Sequence, residues 1–216
     1  MKTSLLTLML SSLWATPLIP VHAGGWAVIT VEDLPDYAVA GRSTELVFTV
    51  RQHGRTPLTG LRPTVDIRGG GSMTTVPAAA AGEPGQYSAS LLLPKAGEWI
   101  ITIHSGFGPS QVTLLPLTAT AAGAALVALP DAERGRRLFV AKGCVTCHLH
   151  RDLDMKPMVA IGPELTERRY PAEYLRQFLA DPPPAASSKG MPDLNLKPAE
   201  IAALTSFINM ERQASR

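Results

Sequence analysis

Both cysteines of this 216-residue chain, Cys144 and Cys147, fall within the pentapeptide Cys-Val-Thr-Cys-His that ends at His148. A disulfide between them would brace only its own turn. The rest of the chain must therefore be held by packing, by a bound group or by a partner. The N-terminus sharpens this constraint. Lys2, the apolar run Leu5–Ile19 and the small-residue site Val21-His22-Ala23 read as a secretory signal, with a mature chain expected to start at Gly24. An uncleaved membrane anchor is the alternative. Export leads to a compartment where disulfides form, yet there are no further cysteines to use it. A formal charge of +2 offers no strong basic field for nucleic acid.

At 45% hydrophobic residues the chain can bury real cores, and its length suits one large or two small domains. Residues 24–118 read as all-β. Strand formers dominate 26–31, 45–50, 86–93 and 99–103, with weaker candidates at 64–68 and 111–115. Turn signals such as "HGRTPLTG", "GGG", "GEPG" and "PKAG" separate them. Six or seven short strands at this spacing predict a β-sandwich. Residues 119–130, "ATAAGAALVALP", read as a linker. No Asp, Glu, Lys or Arg occurs from Trp99 to Pro130, so a membrane span is a rival there. Pro116, the threonines and the many alanines argue against it.

From residue 131 the pattern turns helical. "DAERGRRLFVAKG" predicts a helix with an Asp131 cap and a stop at Gly143. "PAEYLRQFLA" (171–180) predicts a second, opened by Pro171. "KPAEIAALTSFINMERQ" predicts a third, with Pro198 in its first turn and Ile201, Leu204, Phe207 and Ile208 on one stripe. About 85 residues with three helices and long Pro- and Gly-bearing loops make a thin core, which calls for a staple such as a bound cofactor.

Cys-x-x-Cys-His is the attachment signature of c-type haem. Two thiols just after a helix can reach two vinyl groups of one porphyrin, and His148 can place its imidazole under the iron. Three alternatives stay open. A redox dithiol is expected in a βαβ setting, whereas here a helix precedes the motif. A structural zinc site needs four ligands, usually including a second Cys pair, which the chain lacks. A plain local disulfide is the third. If iron is held by His148, a thioether on its other face would raise the potential. Met155 and Met158 follow His148 too closely for the chain to pass round a porphyrin edge. Met210 lies near the end of a helix. Met191, in the extended "SSKGMPDL" loop stiffened by Pro192, is the expected distal ligand. His150 is expected on the solvent side.

Residues 131–212, within a domain expected to span 131–216, resemble a class I monohaem cytochrome c domain, through "GRRLFVAKGCVTCH", "IGPELT", "YLRQFLADP" and "KGMPDLNLKPAEIAALTSFI". The resemblance implies an all-α fold carrying one covalent haem c. It places Gly135 and Phe139 where the first helix crosses the last, against Leu204 and Phe207. It makes the Pro163 carbonyl the partner of the free ring nitrogen of His148, and puts Arg168, Arg169 and Tyr170 near the propionates. The N-terminal part resembles the FixH/YtkA-like exported immunoglobulin-like domains, through "LVFTVRQHGRTPL", "GQYSASLLLPKAGEW" and Trp26.

Together these imply a periplasmic or outer-face electron carrier, more an electron-transfer protein than an enzyme. Its sandwich is expected to dock it to redox partners, a membrane respiratory complex among them. Contact with the membrane is expected only through a partner or a retained N-terminal anchor. Two readings compete: a haem-bearing subunit of an oxidoreductase complex, and a copper-binding accessory protein. For copper the sandwich offers His53, His104 and Met73, without close ligand spacing.

Overall fold

The computed structural model describes residues 25–183 and 190–210, so the expected signal segment lies outside the described residues. The N-terminal half folds into two facing sheets. In the first, β1 (Ala27–Val31), β3 (Ser43–Gln52), β8 (Gln86–Leu92) and β7 (Ala79–Ala80) lie side by side, and β4 (Thr56–Pro57) hairpins onto β3. In the second, β2 (Ala38–Val39), β11 (Leu117–Thr120), β9 (Gly97–His104), β5 (Thr64–Gly69) and β6 (Ser72–Pro77) follow in order, with β10 (Gln111–Thr113) also on β9. All pairings are antiparallel except β2 with β11. The orders β1-β3-β8-β7 and β11-β9-β5-β6 are the A-B-E-D and G-F-C-C′ sheets of the immunoglobulin arrangement.

The strands form where the alternation is cleanest. Leu46, Phe48 and Val50 on β3, Tyr87, Ala89 and Leu91 on β8, and Trp99, Ile101 and Ile103 on β9 all point into the shared core. The final strand runs through Thr120, two residues into the stretch expected as a linker. The segment from Trp99 to Pro130 is thus strand and connecting loop. Among the described residues no helix is long and apolar enough to cross a membrane.

Among the described residues three α-helices follow: α1 (Asp131–Ala141), α2 (Ala172–Ala180) and α3 (Pro198–Ile208). The cap expected of Asp131 is not made; Pro130 occupies that position and Asp131 is the first helical residue. Its fixed φ, like that of Pro171 and Pro198, suits a helix start. Helices α1 and α3 cross at Gly135. A methyl group there would sit 2.0 Å from the Ala203 carbonyl oxygen, so only glycine permits the approach. One turn on, Phe139 meets Phe207 edge to face with centroids 5.6 Å apart.

The two halves share one interface, centred on β1. Ala27, Ile29 and Val31 face the sandwich core, while Val28 and Thr30 on the opposite face are buried as well. Over Val28 lies the turn that ends α1. Gly143, in a left-handed turn at φ 77°, rests on this strand so closely that a side chain would strike Val28 and the Ile29 carbonyl. Polar ties ring the contact. Arg134 grips both carboxylate oxygens of Asp36 at 3.2 and 2.8 Å, and Arg137 donates to the Asp36 carbonyl at 3.1 Å. Lys197 pairs with Asp33. Lys142, with a side chain only 3% exposed, bonds the Glu32 carbonyl at 2.7 Å and the Glu200 carboxylate at 2.8 Å. The other Glu200 oxygen accepts the Lys197 amide at 2.9 Å and caps α3.

Candidate functional site

The cysteine motif is shaped by the end of α1. Beyond Ala141 the helix tightens, Gly143 reverses the chain, and Cys144–Thr146 form a single narrow turn. The amides of Cys147 and His148 both return to the Cys144 carbonyl, at 3.1 and 2.9 Å. The next loop is laced back onto this turn: Val159 donates to Thr146 and Gly162 to Cys147, each at 3.0 Å. His148 therefore meets the Gly162-Pro163 segment directly. Its Nδ1 donates to the Pro163 carbonyl at 2.9 Å, which leaves Nε2 as the nitrogen free to ligate. A side chain at Gly162 would lie 2.5 Å from the imidazole ring, so the loop forms a fitted cradle around it.

Cys144, Cys147, His148 and Met191 line one cavity of about 320 Å³. Its remaining walls are mainly apolar: Phe139 from α1, Leu175 and Phe178 from α2, Leu204 and Ile208 from α3. Burial pushes the Cys144 thiol up to about 12 and the Cys147 thiol up to about 11. A redox dithiol works through a thiolate of lowered pKa, the opposite condition. Burial also pushes His148 below its ordinary value, partly offset by the bond to Pro163. The neutral imidazole this favours is the ligating form. Two thiols, one oriented imidazole and one thioether around an apolar slot fit a covalently anchored haem.

Met191 lines this cavity, and Met73, Met155, Met158 and Met210 do not. Tyr170 lines it too, whereas Arg169 is spent on the fold, bonding the carbonyls of Thr166, Arg168 and Met210. His150 corrects an expectation. It is not on the solvent side but 3% exposed, stacked on Phe207 at 4.3 Å and edge-on to Phe139 at 5.8 Å. The reason is geometric: a second aromatic ring fills the gap beside the α1–α3 crossing. The candidate copper residues are not brought together. His104 faces Thr64 across β5 and bonds Asp66, whereas Met73 stands opposite Arg68, four residues further along that strand. His53 lies elsewhere, its ring tilted at 60° against Trp26.

Sequence reading missed one wall. Trp26, Val28 and His53 of the sandwich line the same cavity. The available signal was the unbroken apolar run Ala27-Val28-Ile29, which marks a strand buried on both faces.

Residues 132–210 match the family model described as Cytochrome c. No curated protein matches the chain. Among solved structures, the PKD domain from human VPS10 domain-containing receptor SorCS2 aligns at 10% identity and a TM-score of 0.28, covering 57% of this chain and all of that one. The immunoglobulin-like reading of the sandwich rests on its strand order.

Proposed function

We propose that this chain, whose residues 132–210 form a cytochrome c domain, is an exported single-electron carrier holding one haem c. The observation that carries the reading is the convergence of Cys144, Cys147, His148 and Met191 on one apolar cavity, with His148 already oriented by Pro163. In this reading Cys144 and Cys147 would anchor the haem through thioether bonds, and His148 and Met191 would ligate its iron. Haem, when bound, would supply a one-electron iron couple, and a thioether ligand from Met191 together with the His148 imidazole would raise its potential.

The protein's own groups supply the rest. The Pro163 carbonyl holds the His148 proton on Nδ1 and makes Nε2 a better donor. Gly162 leaves room for the ring, and Phe139 stands edge-on to it with centroids 6.5 Å apart. Apolar side chains of α2 and α3 keep water from the slot. Ligated by both His148 and Met191, the iron would have no open position for a substrate, and exchange with redox proteins would proceed through short-lived surface contacts. These partners are expected at the periplasmic side or the outer face of the cytoplasmic membrane.

The test is the mass and optical spectrum of protein matured in an exporting host able to attach haem. One haem mass on the processed chain, with a Soret band and no carbon monoxide binding after reduction, is the expected result. Replacing Cys144 and Cys147 together by Ala should abolish covalent attachment. A bare-chain mass with no Soret absorbance would end the proposal.

A further inference from the structure

We propose that the sandwich turn between β3 and β4 is the seat of the Met191 loop, with Gly54 and Arg55 acting as positioning residues for the axial sulfur. The inference rests on the assignment of Met191 made above. Met191 belongs to neither helix nor strand. Its neighbours on both sides are held by the other domain. Arg55 donates from Nη2 to the Gly190 carbonyl at 3.0 Å. Gly54 presents its bare Cα to the Pro192 ring: a Cβ there would lie 2.7 Å from Pro192 Cγ. The two contacts bracket Met191 by one residue each way.

The turn is built to hold that face. His53 and Gly54 are successive residues of positive φ, at 53° and 75°. Such a conformation is uncommon for a residue with a side chain, and here it is fastened on several sides. Gly54 bonds back to Arg51 at 3.1 Å, Arg55 to Gln52 at 3.0 Å, and the His53 amide to Trp26 at 3.1 Å. The His53 ring packs on Trp26 with centroids 5.1 Å apart, and both line the cavity that Met191 lines. Val28 lies beneath Gly54, so the seat continues into β1.

A metal–thioether bond competes with any small ligand that can take the same position. A loop free at both flanks gains conformational freedom when the sulfur leaves, which favours the competitor. A loop pinned at Gly190 and Pro192 gains little, and the bond is pre-organised. The sandwich in this view supports the axial ligand of the neighbouring domain.

The experiment uses the full-length, oxidised holoprotein. Imidazole is titrated in while the weak far-red Met–iron band is followed. Arg55→Ala should raise imidazole affinity about fivefold, the worth of one modest hydrogen bond, and Arg55→Lys should recover part of the loss. Gly54→Ala, strained at positive φ and pressed against Pro192, should raise it further and weaken the band. Arg55 is exposed, so its variant keeps the sandwich melting transition of the parent; should Gly54→Ala misfold, Arg55→Ala decides alone. Parental imidazole affinity and band intensity in Arg55→Ala would overturn the seat. Met191→Ala separates the two readings. If it keeps the far-red band, the ligand assignment itself is wrong; if it loses the band while Arg55→Ala stays parental, only the seat is wrong.

Discussion

Single atoms decide the proximal side of the cavity. His148 is fixed by one hydrogen bond and by one missing side chain, since Gly162 leaves no room for a Cβ beside the ring. Gly162→Ala should therefore turn or push the imidazole, at a cost of about 1–3 kcal/mol typical of overpacking. The expected signature in oxidised holoprotein is a mixed-spin component in the optical and paramagnetic-resonance spectra. An unchanged low-spin spectrum would mean that the loop yields instead of the ligand. His150 shows the opposite lesson at this scale. A histidine two residues from the proposed ligand His148 reads as a solvent-facing group, yet it is used as an aromatic spacer between Phe139 and Phe207. Nothing in its sequence neighbourhood distinguishes the two roles, because the rings it fits between arrive from α1 and α3.

Between elements, polar cross-ties complement the apolar core. Asp66 on β5 accepts from Thr75 on β6 at 2.6 Å and pairs with His104 on β9 at 3.0 Å, so one carboxylate links three strands. The Thr75 bond first, then the His104 bond, hold its pKa below the ordinary value. A carboxylate with a lowered folded pKa stabilises the protein at pH above its unfolded value, about 4, and the contribution is lost as pH falls through the folded value. Asp66→Asn should thus be less stable at neutral pH and should show a flatter loss of sandwich stability below about pH 4 in acid titrations followed by circular dichroism. Parallel acid limbs for variant and parent would refute the linkage. The helices are simpler. Their starts at Pro130–Asp131, Pro171 and Pro198 follow from proline geometry, and the α1–α3 crossing from Gly135.

Across the whole molecule, the thin helical domain has two staples. One is the group its cavity fits; the other is the sandwich. Lys142 is the buried tie between them, reaching Glu32 of the sandwich and Glu200 at the head of α3. Lys142→Met would leave the Glu200 carboxylate buried without its cation, a loss of about 3 kcal/mol. For a chain of this size that corresponds to roughly 10 °C in melting temperature. Because the tie joins both halves, the fall should appear in the haem-band and far-ultraviolet transitions alike. A fall confined to the haem band would mean that the two domains melt independently.

Local order was legible from sequence because its causes are local. Alternating apolar residues predict strands, prolines open helices, and a five-residue cysteine–histidine motif predicts its own chemistry. The short strands β2, β4 and β7 and the hairpin strand β6 were not legible, since two residues or a polar edge carry too little pattern. Nor was the contact between the halves. Val28, Gly54 and Gly143 read as ordinary strand and turn residues, and only the fold reveals that each faces the other domain. A chain's own periodicity records which faces must be buried. What buries them is settled by surfaces far apart in sequence, and here that contact brings the β3–β4 turn against the Met191 loop.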